Sequence, residues 1–277
     1  MELEFLRWLQ GMAHPFWDNF FLCVTILGEP LLPVLILSVV CWLRDDEAGE
    51  YLGFSLLSSL LLNNAVKNIF RLPRPIGEEG IRSLRVKTAT GWSFPSGHTQ
   101  TVSTLGFSLG AWYRRKWIWY AAAALSLLVG FSRMYLGVHY PKDVLAGLAF
   151  GTALPFLCRF LFQKVRRRWV LYGAILFAAL PLVLFRGDGD LYDMFGLFAG
   201  FWAGTGFLRQ CGGIPAVPAS RGRRLLRWCF GMAVLAAAFL LLKWLFPAHP
   251  FFHALRYGLL AFLAFGGCPR LFAKCRV

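Results

Sequence analysis

The chain has 277 residues, of which 57% are hydrophobic and only 16% charged, and its mean hydropathy is +0.56. A soluble domain carries about a quarter charged residues, so this composition excludes an ordinary water-soluble fold and points to a bilayer. The formal net charge of +15 needs no nucleic-acid partner, because the Lys and Arg residues lie in the short gaps between apolar runs, the pattern that orients membrane proteins.

In chain order, Met1–Gly11 carries Glu2 and Glu4 ahead of its first basic residue and lacks a small-residue cleavage site, so it does not read as a cleavable signal peptide. Leu3, Leu6, Trp8 and Leu9 predict a short helix lying at the membrane interface. Apolar runs follow at Leu31–Leu43, Tyr51–Phe70, Thr99–Tyr113, Trp117–Phe131, Val144–Phe162, Trp169–Phe185, Leu191–Leu208, Leu225–Phe246 and Phe251–Phe265. Several approach the roughly 20 apolar residues that cross a hydrocarbon core, which predicts an all-α, polytopic membrane protein of about nine spans. The expected organisation is an interfacial segment at 1–30, a five-span core at 31–163 and additional spans at 164–277. The shortest run, Leu31–Leu43, spans alone only if Asp18–Leu27 belongs to the same helix. Glu29, in Gly28-Glu29-Pro30, then has two placements: near mid-membrane in one unbroken helix, or bordering a pocket at the outward start of a helix opened by Pro30. The second is favoured.

If the runs span alternately, one set of gaps holds Arg44, Arg114–Lys116, Lys164–Arg168, Arg209, Arg221–Arg227, Arg270, Lys274 and Arg276. The positive-inside rule assigns that set, and the carboxy-terminal end, to the cytoplasm, with a bacterial plasma membrane as the expected location. The opposite set holds the amino-terminal end and the segments Arg71–Phe94, Ser132–Asp143, Gly187–Asp190 and Phe246–Pro250. Seven scattered cysteines form neither a disulfide framework nor a zinc pattern, and no metal or cofactor is expected. His14, His249 and His253 read as interfacial turn residues, and Trp112, Trp117 and Trp119 as belt aromatics.

Three outward segments carry basic residues on the side the rule disfavours, together with His98 and His139. They read Lys67-Asn-Ile-Phe-Arg-Leu-Pro-Arg74-Pro75, Pro95-Ser96-Gly97-His98, and Ser132-Arg133-Met-Tyr-Leu-Gly-Val-His139-Tyr-Pro-Lys-Asp143. Lys67, Arg74 and Arg133 supply three cations able to neutralise the equatorial oxygens of a phosphoryl group in flight. Pro95 is expected to open a helix with Ser96 and Gly97 in its first turn, whose unpaired N–H groups seat an anion. His98 beside that seat can protonate a leaving oxygen. His139 and Asp143 are four apart, so the carboxylate can fix one ring nitrogen while the other attacks phosphorus. An ion pair of Asp143 with Lys142 or Arg133 is the structural alternative. Arg71 is equally placed to touch substrate or a headgroup, and Gly77–Trp92 is either a lid or a solvated connector.

In spacing, the three segments resemble the K-x6-RP, PSGH and SR-x5-H-x3-D signatures of the type 2 phosphatidic acid phosphatase superfamily, over about Leu31–Phe162. Its members include lipid phosphate phosphatases, undecaprenyl diphosphate phosphatases, sphingosine-phosphate phosphatases, glucose-6-phosphatase and vanadium haloperoxidases. The resemblance implies phosphate binding by Lys67, Arg74, Ser96, Gly97 and Arg133, an acid at His98, a nucleophile at His139 and its orienting partner at Asp143. The implied activity is metal-independent removal of phosphate from a lipid phosphate or diphosphate through a phosphohistidine. A soluble sugar phosphate as substrate, or transfer to an acceptor hydroxyl, is the alternative. The spans after Trp169 exceed the minimal core and look more like the glucose-6-phosphatase and sphingosine-phosphate phosphatase branches.

Overall fold

The computed structural model describes residues 1–247 and 249–275, so Arg276 of the cytoplasmic set and Ala248 of the Phe246–Pro250 turn lie outside the described residues. Among the described residues the chain is all-helical, in the order α1 (Glu2–Gly11), α2 (Pro15–Thr25), α3 (Leu31–Leu43), α4 (Asp46–Phe70), α5 (Gly97–Tyr113), α6 (Lys116–Tyr135), α7 (Pro141–Lys164), α8 (Arg168–Arg186), α9 (Gly189–Gln210), α10 (Arg221–Leu245), α11 (Pro250–Phe262) and α12 (Cys268–Cys275). A π-helical stretch, Leu263–Gly267, joins the last two.

Five segments are long and apolar enough to cross a membrane by themselves: α6, α7, α8, α10 and the continuous Pro250–Cys275. A sixth is possible if Pro15–Gly28 and Leu31–Leu43, bent by 42° at their junction, count as one broken span. The nine spans expected from the apolar runs are therefore not all supported. The shortfall falls on α4, α5 and α9. Polar residues interrupt the first two, Asn63, Asn64, Lys67 and Asn68 on α4 and Thr99, Gln100, Ser103 and Thr104 on α5, and all of these are buried. α9 carries Asp190 and Asp193 in its first turns. Polar groups inside a bilayer protein face its interior and mark function, so in α4 and α5 the loss of mean hydropathy is itself informative.

The chain divides into two compact units, Met1–Pro33 with Leu62–Phe160, and Val34–Leu61 with Leu161–Val277. In the first, α5 is tightly packed. A Cβ on Gly106 would come within 2.7 Å of Ala122 Cβ of α6, and one on Gly147 of α7 within 2.7 Å of the Ser96 carbonyl. A Cβ on Gly130 of α6 would lie 2.7 Å from Val144 Cγ1 and 3.4 Å from Thr99 Cγ2, so the start of α5, the end of α6 and the start of α7 come together. In the second unit, Gly196, Gly200 and Gly204 of α9 meet the backbone of Ala254, Gly258 and Phe262, with no room for side chains between the two helices. That small-residue row replaces hydrophobic drive with close van der Waals packing, as helix pairs in lipid require.

Helix starts are set locally. Asp188 accepts from Leu191 N at 2.9 Å at the head of α9, and Asp45 from Ala48 N at 2.9 Å at the head of α4. His14 and His249 cap α2 and α11 in the same way: each precedes a proline at the first helical position, and each ring Nδ1 accepts from the backbone N–H two residues on.

The loop between α4 and α5 is tied down along its length. Arg82 forms a two-pronged ion pair with Asp18, both contacts 2.7 Å, and Asp18 also accepts from Tyr135 Oη at 2.8 Å. The Gln10 amide brackets the Arg82 backbone, Nε2 donating to its carbonyl at 2.7 Å and Oε1 accepting from its N–H at 2.8 Å. Arg7 donates to the Glu79 carbonyl, Ser83 Oγ to the Gly137 carbonyl, and Leu84 N to the Leu136 carbonyl. α1 is thus a brace for this loop as well as an apolar helix; its Leu6 and Leu9 are fully buried.

Candidate active site

The three signature segments converge in the first unit. Lys67 lies in the last turn of α4 with its side chain buried. Its ammonium is 3.8 Å from where a Cβ on Gly97 would stand, so the glycine keeps the backbone beside that cation uncovered. Asn63, one turn earlier, donates to Gln100 Oε1 at 2.8 Å and so ties α4 to α5 beside the lysine.

α5 starts two residues later than expected. Ser96 is its N-cap and Gly97 its first residue, while Pro95 lies outside the helix, after a cis Phe94–Pro95 bond. Ser96 Oγ pairs with Thr99 Oγ1 at 3.0 Å, and no side chain caps the helix amides. The N-terminal N–H groups and the positive helix end therefore remain available to an anion. His98 packs over Gly28: a Cβ there would lie 2.7 Å from His98 Cβ.

Arg74 is held by carbonyls, donating from Nε to Gly91 at 3.1 Å, from Nη2 to Thr90 at 2.6 Å and Trp92 at 3.1 Å, and from Nη1 to Val138 at 3.0 Å. Its Nη1 also lies 2.9 Å from His139 Nε2. A guanidinium can only donate, so His139 Nε2 accepts and the ring proton resides on Nδ1. Nδ1 faces Asp143 Oδ2 at 3.4 Å, a loose contact that leaves room to tighten. Burial first, and then the charges of Arg74, Arg133 and Lys67, hold the His139 imidazole well below the usual histidine range. At neutral pH the ring is uncharged, with its Nε2 lone pair directed at Arg74 Nη1.

Asp143 is fully buried, and its Oδ2 also accepts from Ser93 Oγ and, at 2.9 Å, from the Tyr140 N–H. Ser93 had no sequence signal: it lies 50 residues from its partner. Arg133 is fully buried in the last turn of α6 and donates from Nη1 to Thr25 Oγ1 at 2.8 Å. Among the described residues, Arg133 Nε and Nη2, His98 Nε2 and Asp143 Oδ1 are buried polar atoms with no hydrogen-bond partner. Buried groups of this kind are rare and costly, and an arginine edge and an imidazole nitrogen left open in one place define a seat for a polar, anionic ligand.

Glu29 lies in extended conformation at the break before α3 and pairs with Arg85 Nε at 2.7 Å. Arg71 is exposed in a left-handed conformation just after α4, with its Nε donating back to the Asn68 carbonyl at 3.2 Å. No group of three or more His, Cys, Asp or Glu residues able to hold a metal occurs among the described residues.

A lysine, two arginines, a second histidine and an open helix start, gathered around a buried His–Asp pair, are the features of a phosphoryl-handling membrane protein. Residues 49–167 match the PAP2 superfamily and residues 192–277 match the PAP2 superfamily phosphatase transmembrane extension. The chain is similar to phosphatidylglycerophosphatase B of Bacillus subtilis, 33% identical over 56% of this chain and 80% of that protein. It is 27% identical to the undecaprenyl-diphosphatase BcrC of the same organism, over 61% of this chain and 88% of the relative. Among solved structures, LpxE of Aquifex aeolicus aligns with a TM-score of 0.51 at 26% identity, covering 57% of this chain and 94% of that one. The chain belongs to the PAP2 superfamily and is an integral membrane protein.

Proposed function

We propose that this protein is a phosphohydrolase that removes phosphate from a membrane lipid phosphate or diphosphate, through a phosphohistidine on His139, at a site facing away from the cytoplasm. The observation that carries the reading is the open polar edge around His139: Arg133 Nε and Nη2 and His98 Nε2, buried and without partners among the described residues. A phosphoryl group bound there meets Lys67, Arg74, Arg133 and the start of α5. His139 Nε2 displaces Arg74 Nη1 from its lone pair and forms the bond to phosphorus. The bond to the leaving oxygen breaks, and that oxygen takes a proton from His98. Asp143 stabilises the imidazolium that develops. Water deprotonated by His98 then cleaves the phosphohistidine, returning both histidines to their starting states. The cations perform the charge neutralisation that a metal would otherwise supply.

A lipid substrate is favoured over a soluble sugar phosphate by an apolar groove of about 640 Å3 beside the site. Phe5, Leu127, Phe131, Met134, Leu145 and Leu148 line it, and Pro141 and Val144, the neighbours of Asp143 at the head of α7, form part of its wall. The relatives with phosphatase names and the basic residues between the later spans support the same reading. His139→Ala should lower phosphate release by about a thousandfold or more while the protein still folds, as expected for loss of a covalent nucleophile. Wild-type turnover should persist in EDTA, and brief exposure to labelled substrate followed by a base quench should leave label on the protein only when His139 is present. Turnover retained in the variant would remove His139 from the mechanism.

A further inference from the structure

The short turn from Thr25 to Glu29 has three contacts around the site. Thr25 Oγ1 accepts from Arg133, Gly28 seats the His98 ring, and Glu29 holds Arg85. Arg133 and His98 have clear parts in the proposed chemistry. Arg85 belongs to none of the three signature segments, yet its ion-pair partner Glu29 directly follows Gly28, the residue packed against His98. It stands in a left-handed backbone conformation (φ 55°) inside the braced loop, so its position is fixed by the backbone and by its ion pair. That pair engages Nε alone. Among the described residues, no hydrogen-bond partner faces the Nη edge of the guanidinium, although the side chain is only 30% exposed.

His98 marks the side of the site from which the leaving group departs. A cation on that side, beyond the three that surround the transferred phosphoryl group, meets whatever charge the leaving group carries. A monoester leaves as a neutral alcohol and has no use for it. A diphosphate leaves as a lipid monophosphate, whose charge a second guanidinium can hold in a two-pronged contact. We infer that Arg85, positioned by Glu29 on the His98 side of the site, binds the second phosphate of a diphosphate and sets a preference for lipid diphosphates over lipid monophosphates. In the step this implies, His139 Nε2 bonds to the terminal phosphorus. The bond from that phosphorus to the bridging oxygen breaks, its electron pair leaves with the lipid monophosphate, the bridging oxygen takes the His98 proton, and Arg85 offsets the charge that remains on the leaving phosphate.

The inference rests on the phosphatase reading, and its test separates the two. Phosphate release from a polyprenyl diphosphate and from phosphatidic acid is measured in the same micelles for wild type, Arg85→Ala, Arg85→Gln and His139→Ala. Arg85→Ala and Arg85→Gln are each expected to reduce kcat/KM for the diphosphate at least about tenfold more than for the monophosphate, the scale of a lost charge-assisted two-pronged contact. Equal losses on both substrates, no loss on either, or a wild type that cleaves only the monophosphate would overturn the role of Arg85 and leave the phosphatase assignment standing. Phosphate release that survives His139→Ala, or that is missing on both substrates in wild type, would instead break the assignment itself. Should neither Arg85 variant fold, wild-type inhibition decides. Inorganic pyrophosphate should inhibit about tenfold more tightly than inorganic phosphate, and equal inhibition overturns the inference.

Discussion

Two clusters of buried or half-buried charge in this protein follow opposite rules. In the second unit, Glu50 of α4 receives Tyr172 Oη at 2.9 Å, Arg168 at 3.3 Å and Arg209, while Arg168 also pairs with Glu47 at 2.7 Å and lies over the Phe162 ring. Each charge there has an opposite charge beside it. In the first unit, Arg133 Nε and Nη2 and His98 Nε2 are buried without hydrogen-bond partners among the described residues. Withdrawing a charge from water costs several kcal/mol unless partners compensate, so a saturated cluster is a structural fastening and an unsaturated one is a place kept for a ligand.

The sharpest way to break this comparison is at Arg133. Arg133→Gln should cut kcat/KM by about a hundredfold or more, since it removes a preorganised charge from the transition state, yet leave the melting temperature level or higher, because a buried, half-paired cation is gone. A variant that unfolds while the remaining molecules work normally would make Arg133 a fastening as well. Ser93→Ala comes next. The serine hydroxyl donates to Asp143, so a loss of about tenfold in kcat with little change in KM is expected, and threonine at this position should restore part of it. A change confined to KM would move Ser93 from positioning to binding. The smallest effect on activity belongs to Glu50→Ala. Two arginines lose their common partner, and a stability loss of about 1–2 kcal/mol is expected, discounted because Arg209 is well exposed, with kcat/KM within about twofold of wild type. Thermal unfolding together with phosphate release reads all three variants.

The helices and the parts of the site that recur at fixed spacing were legible in the sequence. Lys67, Arg74, His98, Arg133, His139 and Asp143 sit in three short segments, and the apolar runs between them set the helix order. What stayed hidden depends on distant pairs. Ser93 reaches Asp143 across 50 positions, Thr25 reaches Arg133 across 108, and Glu29 reaches Arg85 across 56. Each of these residues is individually ordinary, and only the folded chain supplies its partner. Asn63 and Lys67, a helical turn apart in an apolar helix, are both buried on the face that α4 turns inward. Nine spans are not confirmed, because buried polar residues lower the hydropathy of α4 and α5. The start of α5 was misplaced because proline often occupies a first helical position, whereas here Ser96 takes the capping role and Pro95 falls outside the helix.

The brace that α1 forms on the loop between α4 and α5 bears on how this protein spends conformational freedom. Arg74 depends on the carbonyls of Thr90, Gly91 and Trp92, all in that loop, and Arg85 projects from it. With Gln10, Arg7 and Asp18 already holding the loop, the ordering of these two cations is complete before any ligand arrives. A lipid headgroup then meets a surface that has little left to lose in entropy, so its binding energy goes into holding phosphate and not into folding a lid over it. Helix α1, which touches none of the reacting atoms, would on this account be felt in catalysis through the disorder it prevents.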